Sequence, residues 1–152
     1  IVAVDVNPEK LQRIEEAAGR CRLGIVRTLP AAEVAQLAPE SFDRVLVDAP
    51  CSNTGVLARR IEARWRFKSG DLRRLAQDQR HLLTLGASLV KKSGRIVYST
   101  CSIEPEENES LVKSFARSGF RVMRQRLNLP TGDEAHPERY RDGGFWALLG
   151  RG

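Results

Sequence analysis

Two cysteines in this sequence each follow a short apolar run, a position from which a thiol can act as a nucleophile. Cys51 closes the sequence Asp48-Ala-Pro-Cys51, and Cys101 lies in Ser99-Thr-Cys-Ser102. A thiolate adds readily to electron-poor carbon, and the covalent adduct divides one difficult reaction into two easier steps. Because Pro50 cannot continue the hydrogen-bond ladder of a strand, the chain must turn there and present Asp48 and Cys51 at the strand's end. The alternative interpretation of Cys51 is a small buried hydrophobic residue.

The residues after Cys101 predict that its thiol lies at the start of a helix. Ser102 is a typical N-cap, and three acids, Glu104, Glu106 and Glu107, would then occupy the first helical turn. Backbone N–H groups and the positive end of the helix dipole lower the pKa of a thiol in such a position and make it a better nucleophile. The acidic first turn opposes that effect, so the sequence leaves the net direction of the pKa change open.

Runs of β-branched residues alternate with segments of helical periodicity along the chain. This alternation predicts an α/β fold with a mostly parallel sheet and helices on both faces. In such sheets, ligands bind beyond the carboxyl ends of the strands. The chemically suggestive residues all fall at those ends: Asp5, Asp48, Cys51 and Cys101. If the strands before the two cysteines are neighbours, about 4.8 Å apart, both thiols face one pocket.

The predicted elements are bounded by ordinary start and stop signals. Asn7-Pro8 supplies an N-cap and a preset first helical residue, and Lys91, Lys92 and Gly94 close the longest helix. The predicted strands are Ile1–Val6, Leu23–Val26, Phe42–Val47, Arg95–Ser99, Phe120–Arg124 and Phe145–Leu149. The predicted helices run from Pro8 to Gly19, from Ala31 to Leu37, from Gly70 to Lys91 and from Ser102 to just before Gly119.

Asp5 ends the first predicted strand, where nucleotide-binding α/β folds place a carboxylate that accepts hydrogen bonds from ribose hydroxyls. In those folds a Gly-rich loop stands about 20 residues earlier. We therefore expect that loop and its strand before Ile1, since the chain opens in mid-pattern without an initiator Met. Two other interpretations of Asp5 stay open here, a helix-capping carboxylate and a solvent-facing one.

The charge of the chain is concentrated in one segment. The 152 residues, read as a single globular domain, carry a net charge of +6, which favours an anionic partner such as nucleic acid. The segment Val56–Arg80 holds eight basic and three acidic residues, with Trp65 and Phe67 interleaved. Phosphate contacts and base stacking suit that pattern, and so does a solvated helix face with core aromatics. The candidate RNA contacts are Arg59, Arg60, Arg64 and Arg66.

The three cysteines argue against a disulfide framework and indicate a reducing, cytoplasmic location. Their spacing to each other and to the two histidines matches no metal site, so no metal is expected. No apolar run approaches the length of a membrane-spanning helix, and no secretory signal pattern is present. We expect a monomer without membrane contact.

Four motifs together resemble the RNA cytosine-C5 methyltransferases of the Sun family. They are Phe42-Asp-Arg-Val-Leu-Val-Asp-Ala-Pro-Cys-Ser-Asn-Thr-Gly55, Leu75-Ala-Gln-Asp-Gln-Arg-His-Leu-Leu83, Tyr98-Ser-Thr-Cys-Ser-Ile-Glu-Pro-Glu-Glu-Asn108 and Asp142-Gly-Gly-Phe-Trp-Ala147. The likeness spans essentially the whole chain, and the bacterial ribosomal-RNA branch is the most similar. It implies a Rossmann-like fold that uses S-adenosylmethionine (SAM) and acts on RNA, with ribosomal RNA favoured over transfer RNA.

The resemblance also implies a role for each site residue. Cys101 is the nucleophile, Cys51 assists product release, and Asp48 contacts the cytosine. Asp5 holds the SAM ribose, and Asp48 and Pro50 also border the cofactor. One departure concerns the adenine contact, because the family usually has an Asp after the strand that ends here in Val26-Arg27-Thr28. The contact with the adenine must therefore be weaker or built differently.

The chemistry explains why a thiol and a carboxyl group are needed. Cytosine C5 is a weak nucleophile until a thiolate adds at C6 and pushes electron density to C5. A carboxyl group near N3, here Asp48 in protonated form, would stabilise the adduct. The main alternative is a DNA cytosine-C5 methyltransferase, in which the cysteine of the Pro-Cys motif is the nucleophile. Those enzymes lack an equivalent of Thr100-Cys101. A second alternative is a catalytically degenerate RNA-binding module that keeps the fold.

Overall fold

The computed structural model describes residues 1–66, 68, 70–132 and 135–152, without the side chains of Arg66 and Pro137. The chain divides into two compact units, Ile1–Ala38 and Pro39–Gly152. In the described part of the chain, no helix is both long enough and apolar enough to cross a membrane. The same residues contain no group of three or more His, Cys, Asp or Glu side chains that could hold a metal ion.

The unit Ile1–Ala38 is built from one βαβ crossover. Strand β1 (Val2–Asp5) leads into helix α1 (Pro8–Arg20), and strand β2 (Arg27–Pro30) pairs in parallel with β1. The predicted cap at the start of α1 is confirmed, because the Asn7 side chain accepts a hydrogen bond from the N–H of Glu9 and Pro8 opens the helix. A 3₁₀ helix, Ala31–Gln36, closes the unit.

The second strand was predicted at Leu23–Val26, and that placement is wrong by four residues. The chain turns after α1, where Leu23 donates to the carbonyl of Ala18 and Arg22 has a φ of 54°. The ladder with β1 then begins at Arg27, which lies opposite Val2. The apolar run Leu23–Val26, which suggested a strand, therefore lies in the turn that follows α1. The strand comes after it, at Arg27–Pro30.

The unit Pro39–Gly152 contains a four-stranded sheet in the order β3-β4-β6-β5. Strands β3 and β4 are parallel, whereas β6 runs antiparallel to both β4 and β5. The sheet is therefore mixed, whereas the sequence predicted a mostly parallel one. Its strands are β3 (Phe42–Asp48), β4 (Val90–Thr100), β5 (Phe120–Asn128) and β6 (Gly144–Arg151), and its helices are α2 (Ile61–Arg66), α3 (Asp71–Leu89) and α4 (Glu109–Ala116).

The core of this unit lies between one face of the sheet and the helices α3 and α4. Ile96 and Tyr98 of β4 lie directly opposite Leu149 and Ala147 of β6, and all four side chains are fully buried. Leu83 of α3 and three side chains of α4 complete the same cluster: Leu111, Val112 and Phe115. This packing fixes the direction of β4 and hence the position of the residues that follow it.

Two predicted helix boundaries differ from the structure. The long helix ends at Leu89, because Val90 is 1% exposed, has an extended backbone and pairs with Phe42. The last helix begins at Glu109 after Asn108, not at Ser102. Pro105 disfavours a helical conformation at Glu104, and the backbone forms isolated turns there instead, with Asn108 donating to the carbonyl of Pro105.

Candidate active site

The two predicted nucleophiles come together at the carboxyl ends of neighbouring strands. Strands β3 and β4 pair with Asp48 opposite Ser99, and the N–H of Ala49 donates to the carbonyl of Ser99 over 3.0 Å. The chain leaves both strands just beyond this point. The Sγ atoms of Cys51 and Cys101 are 3.1 Å apart, and both residues are half-buried. The strand adjacency expected from the sequence is therefore present.

The contact between the thiols shifts their acidities in opposite directions. Hydrogen bonding from Cys51 lowers the pKa of the Cys101 thiol to about 7, and the charge of Arg60 lowers that pKa further, against burial and the charge of Asp48. The same contact and burial raise the pKa of the Cys51 thiol. At neutral pH the pair therefore favours a Cys101 thiolate that accepts a hydrogen bond from a Cys51 thiol. The helix dipole expected from the sequence is not the cause, since α4 starts eight residues after Cys101.

Asn53 holds the cysteines from the loop between β3 and α2. In its thiol form Cys101 donates to the Asn53 side-chain oxygen over 3.0 Å, and the Asn53 amide donates to the carbonyl of Cys51 over 2.9 Å. The backbone of Asn53 is left-handed, with a φ of 62°. Asparagine tolerates that conformation better than most residues. Asn53 was not singled out from the sequence, although an Asn before Thr-Gly is a signal for such a turn.

The same loop approaches Cys101 so closely that only glycine fits at position 55. The N–H of Gly55 donates to the carbonyl of Cys101 over 3.0 Å, and the N–H of Gly143 donates to the carbonyl of Gly55 over 2.7 Å. A Cβ at this position would stand 2.6 Å from the Gly143 oxygen. The loop is thereby fixed against the residues that carry the nucleophile.

Asp48 and Pro50 flank the cysteine pair on the β3 side. The exposed Asp48 carboxylate accepts a hydrogen bond from the Ser99 hydroxyl over 3.0 Å. The carbonyl of Pro50 accepts from the side chain of Gln79 in α3, over 2.9 Å. Asp48 is thus free to contact a bound molecule through its other oxygen, whereas Pro50 is anchored to the helix behind it.

Polar side chains that the sequence did not identify are buried behind the cysteines. Gln79, Ser102, Glu107 and Asn108 are 0% exposed, and Ser52 is 7% exposed. The sequence placed Glu107 in the first turn of the last helix, and this is wrong, because α4 begins at Glu109. Its carboxylate instead accepts hydrogen bonds from the Ser52 N–H at 3.0 Å and the Gln79 amide at 2.9 Å. A single sequence offers no signal that separates this acid from its neighbour Glu106.

Asp5 lies at the end of β1 in the other unit. Its carboxylate accepts from the N–H of Asn7 over 2.8 Å and pairs with Lys10 at 3.4 Å. The backbone hydrogen bond from Asn7 is the main cause that lowers the pKa of Asp5, with Lys10 acting in the same direction. The carboxylate is therefore ionised at neutral pH and closes the turn that precedes α1, whose N-cap is Asn7.

The basic segment is presented to solvent around α2. Arg59 forms an ion pair with Asp142 at 3.1 Å, whereas the structure places Arg60 and Arg64 as exposed side chains. Trp65 is 80% exposed, so it is not a core aromatic. Phe67 and the side chain of Arg66, both part of the predicted RNA surface, lie outside the described residues.

A pocket of about 200 Å³ opens between the loop that carries Cys51 and the helices α2 and α3. Cys51 and Asn53 line it together with four charged residues: Arg60, Glu62, Asp71 and Arg74. Arg74 pairs with Asp71 at 3.5 Å, so the two basic and two acidic side chains balance beside the thiol.

Solved structures share this arrangement of strands and helices. The chain superposes on a protein designated PH0851 with a TM-score of 0.86 and 30% identity, covering 99% of this chain and 37% of that one. It matches NSun6 from Pyrococcus horikoshii, solved with SFG, with a TM-score of 0.78 and 26% identity over 99% of this chain and 41% of that one. The fold is the Rossmann-like α/β fold of SAM-dependent methyltransferases, so the predicted fold class is confirmed.

Sequence comparison narrows that class. The family model described as 16S rRNA methyltransferase RsmB/F matches residues 1–146, and the chain belongs to this family. Ribosomal RNA small subunit methyltransferase B of Proteus mirabilis is 34% identical over 154 residues, covering 99% of this chain and 35% of the relative. The protein of that description from Salmonella paratyphi B is 35% identical over 162 residues, covering 98% and 36%. The chain thus spans about a third of the length of these relatives.

Proposed function

We propose that this chain carries the catalytic thiol pair of an enzyme that transfers a methyl group from SAM to C5 of a cytosine in ribosomal RNA. The observation that supports this most directly is the 3.1 Å contact between Cys51 and Cys101, in which the pKa of Cys101 is lowered to about 7. Membership of the RsmB/F family supports the choice of ribosomal RNA. The free thiols suit the reducing cytoplasm.

The proposed reaction begins with the Cys101 thiolate, which adds to C6 of the cytosine. The C5–C6 double bond breaks, its electron pair becomes available at C5, and C5 would take the methyl carbon of SAM, whose carbon–sulfur bond breaks so that the sulfonium sulfur leaves as a neutral thioether. A base then removes the proton from C5, the electron pair re-forms the double bond, and Cys101 leaves as a thiolate. Asp48 contacts the cytosine from the adjacent strand end and stabilises the adduct.

Cys51 is assigned to the release step. Its raised pKa keeps it as a thiol at neutral pH, so it is a poor nucleophile but can donate a hydrogen bond to the departing Cys101 sulfur. This difference in acidity favours the RNA-type assignment of roles over the DNA-type assignment, in which the Pro-Cys thiol attacks.

Asp5 is the residue proposed to hold SAM, and its carboxylate can accept hydrogen bonds from the ribose hydroxyls. The carboxylate is ionised, and each oxygen accepts one hydrogen bond, leaving lone pairs for the two ribose hydroxyls. SAM would supply an electrophilic methyl group. Asp48 and Pro50 are proposed to border the cofactor as well.

Single replacements of the two cysteines test the assignment. Cys101→Ala removes the nucleophile, so we expect neither methylated RNA nor a covalent protein–RNA complex. Cys51→Ala leaves the nucleophile but impairs release, so it should accumulate an RNA complex that survives a denaturing gel in the presence of SAM. Cys21→Ala, which changes the exposed third cysteine, is the matched control and should behave as the unmodified protein.

Two results would contradict the proposal. A complex in Cys101→Ala and none in Cys51→Ala would make Cys51 the nucleophile, as in the DNA enzymes. Full methylation by both single variants would exclude a covalent mechanism.

A further inference from the structure

The residues on both sides of each cysteine are held by two consecutive buried side chains, Glu107 and Asn108. The Glu107 carboxylate accepts from the N–H of Ser52 at 3.0 Å and from the Ser52 hydroxyl. Through the Gln79 amide it is also linked to Pro50, since that amide donates to both the Pro50 carbonyl and Glu107 over 2.9 Å. The neighbours of Cys51 are thereby fixed.

Asn108 does the same for the other cysteine. Its side-chain oxygen accepts from the Thr100 hydroxyl over 2.6 Å, and its amide donates to the carbonyl of Ser102 over 2.9 Å. A direct link joins the two sides, because the Ser52 hydroxyl lies 3.0 Å from that of Ser102.

The pair is itself anchored in the core. The hydroxyl of Tyr98, which is fully buried, donates to the backbone carbonyl of Glu107 over 2.7 Å. Both Glu107 and Asn108 are 0% exposed. Burying a carboxylate is costly unless it is hydrogen-bonded, and the Glu107 carboxylate accepts from the Ser52 N–H, the Ser52 hydroxyl and the Gln79 amide. The side-chain oxygen of Gln79 is the buried atom of this network that has no partner among the described residues.

We infer that Glu107 and Asn108 are positioning residues that set the separation of the Cys51 and Cys101 sulfur atoms. Neither side chain contacts a thiol. They act through the backbone on either side of each cysteine, and the position of the sulfur atoms decides whether Cys51 can donate to Cys101. The inference rests on the proposed function for its catalytic meaning, but the thiol contact itself can be measured without RNA or SAM.

The first test measures how the rate of alkylation of Cys101 by iodoacetamide depends on pH, with modified peptides quantified by mass spectrometry. Glu107→Ala frees the loop that carries Cys51, so we expect the inflection near pH 7 to move towards the value of an ordinary thiol, about 8.5. The thiolate fraction at pH 7 then falls roughly 15-fold. Glu107→Gln keeps one acceptor oxygen in place and should restore most of the lower inflection.

If Glu107 only stabilises the fold, the result is different. Glu107→Ala then lowers the melting temperature, but Cys101 in the folded protein retains its inflection near pH 7. That outcome overturns the inference. If Glu107→Ala does not fold, Ser52→Ala serves instead, because it removes one hydroxyl contact and keeps the backbone N–H. An unchanged inflection in folded Ser52→Ala and in folded Asn108→Ser would likewise overturn it.

Turnover provides the second measurement. In Glu107→Ala we expect kcat for RNA methylation to fall while KM for RNA stays within about twofold, since no proposed RNA contact is changed. A failure of the proposed function would show as methylation by Cys101→Ala, whatever the alkylation profile. A failure of the present inference would show as a normal profile in a protein whose Cys101 is still essential.

Discussion

Two thiols of one chemical type have different acidities here because one sulfur hydrogen-bonds to the other. A sulfur that accepts a hydrogen bond is stabilised as the anion, and the sulfur that donates is held as the neutral thiol. Arg60 strengthens this asymmetry by acting on Cys101. The role of each cysteine therefore depends on the direction of one hydrogen bond.

This asymmetry predicts a pH dependence. The reactive form of Cys101 is the thiolate, so its alkylation rate should rise with pH and show an inflection near pH 7. In Cys51→Ala the stabilising donor is lost, and the inflection should move to higher pH. The measurement is the alkylation rate between pH 5.5 and about 10, in a Cys21→Ser background that removes the exposed thiol. An inflection that stays near 7 in Cys51→Ala would show that the Cys51 thiol is not the cause.

The sequence was sufficient to place the cysteines and Asp48 at strand ends, since each follows an apolar run and lies within two residues of a turn or cap signal, Pro50 or Ser102. It was insufficient for Glu107 and Asn53. Whether an acid faces solvent or a buried amide depends on chain segments that are distant in sequence, here Ser52 and Gln79. Local patterns contain no information about such a contact.

At the scale of elements, the interiors of five of the six described strands were predicted well, whereas β2 was misplaced and the helix ends were predicted less accurately. Lys91, Lys92 and Gly94 look like a helix C-terminus, but Val90 is drawn into the core and pairs with Phe42, so the strand starts there. Tertiary packing overrides a local stop signal when the alternative buries an apolar side chain. In the same way, Pro105 and the inward turn of Glu107 delay the start of α4.

The helix α2 and the residue before it are the elements on which RNA affinity is expected to depend. Arg60 and Arg64 are exposed, whereas Arg59 is already paired with Asp142. Changing Arg60 and Arg64 together to Ala should reduce the slope of log affinity against log salt by roughly 1.4 to 1.8 units, at about 0.7 to 0.9 per phosphate contact. Filter binding in a salt series measures this slope.

The control for that experiment is Arg117→Ala with Arg121→Ala, an exposed pair at the C-cap of α4 and near the start of β5. We expect little change of slope in the control. Equal slopes in the two double variants would contradict the proposed phosphate contacts. They would support the alternative interpretation, in which the α2 segment is a solvated helix face.

Across the whole molecule, apolar burial is unevenly distributed. Among the described residues, Leu11 and Val34 are the buried apolar side chains of Ile1–Ala38, whereas Pro39–Gly152 contains the cluster around Leu83, Ile96 and Tyr98. A two-stranded sheet is marginally stable on its own. The two units therefore differ in the free energy needed to open their backbone hydrogen bonds.

Hydrogen exchange should reveal that difference in the 152-residue chain. We expect amides of β1 and β2 to exchange more than about tenfold faster than those of β4 and β6, which corresponds to ~1.4 kcal/mol in opening free energy. Exchange followed by mass spectrometry of peptides resolves the two units. Equal protection in β1 and β4 would mean that the units open together.

The 3.1 Å approach of Cys51 and Cys101 has a redox consequence. Hydrogen peroxide would convert the Cys101 thiolate to a sulfenic acid with loss of hydroxide, and the Cys51 thiol would then displace the sulfenic oxygen as water to close a disulfide. Both sulfur atoms of the active pair would be consumed in that one disulfide. The proposed nucleophile is therefore available only while its surroundings keep the pair reduced, and a thiol reductant such as glutathione or thioredoxin restores it.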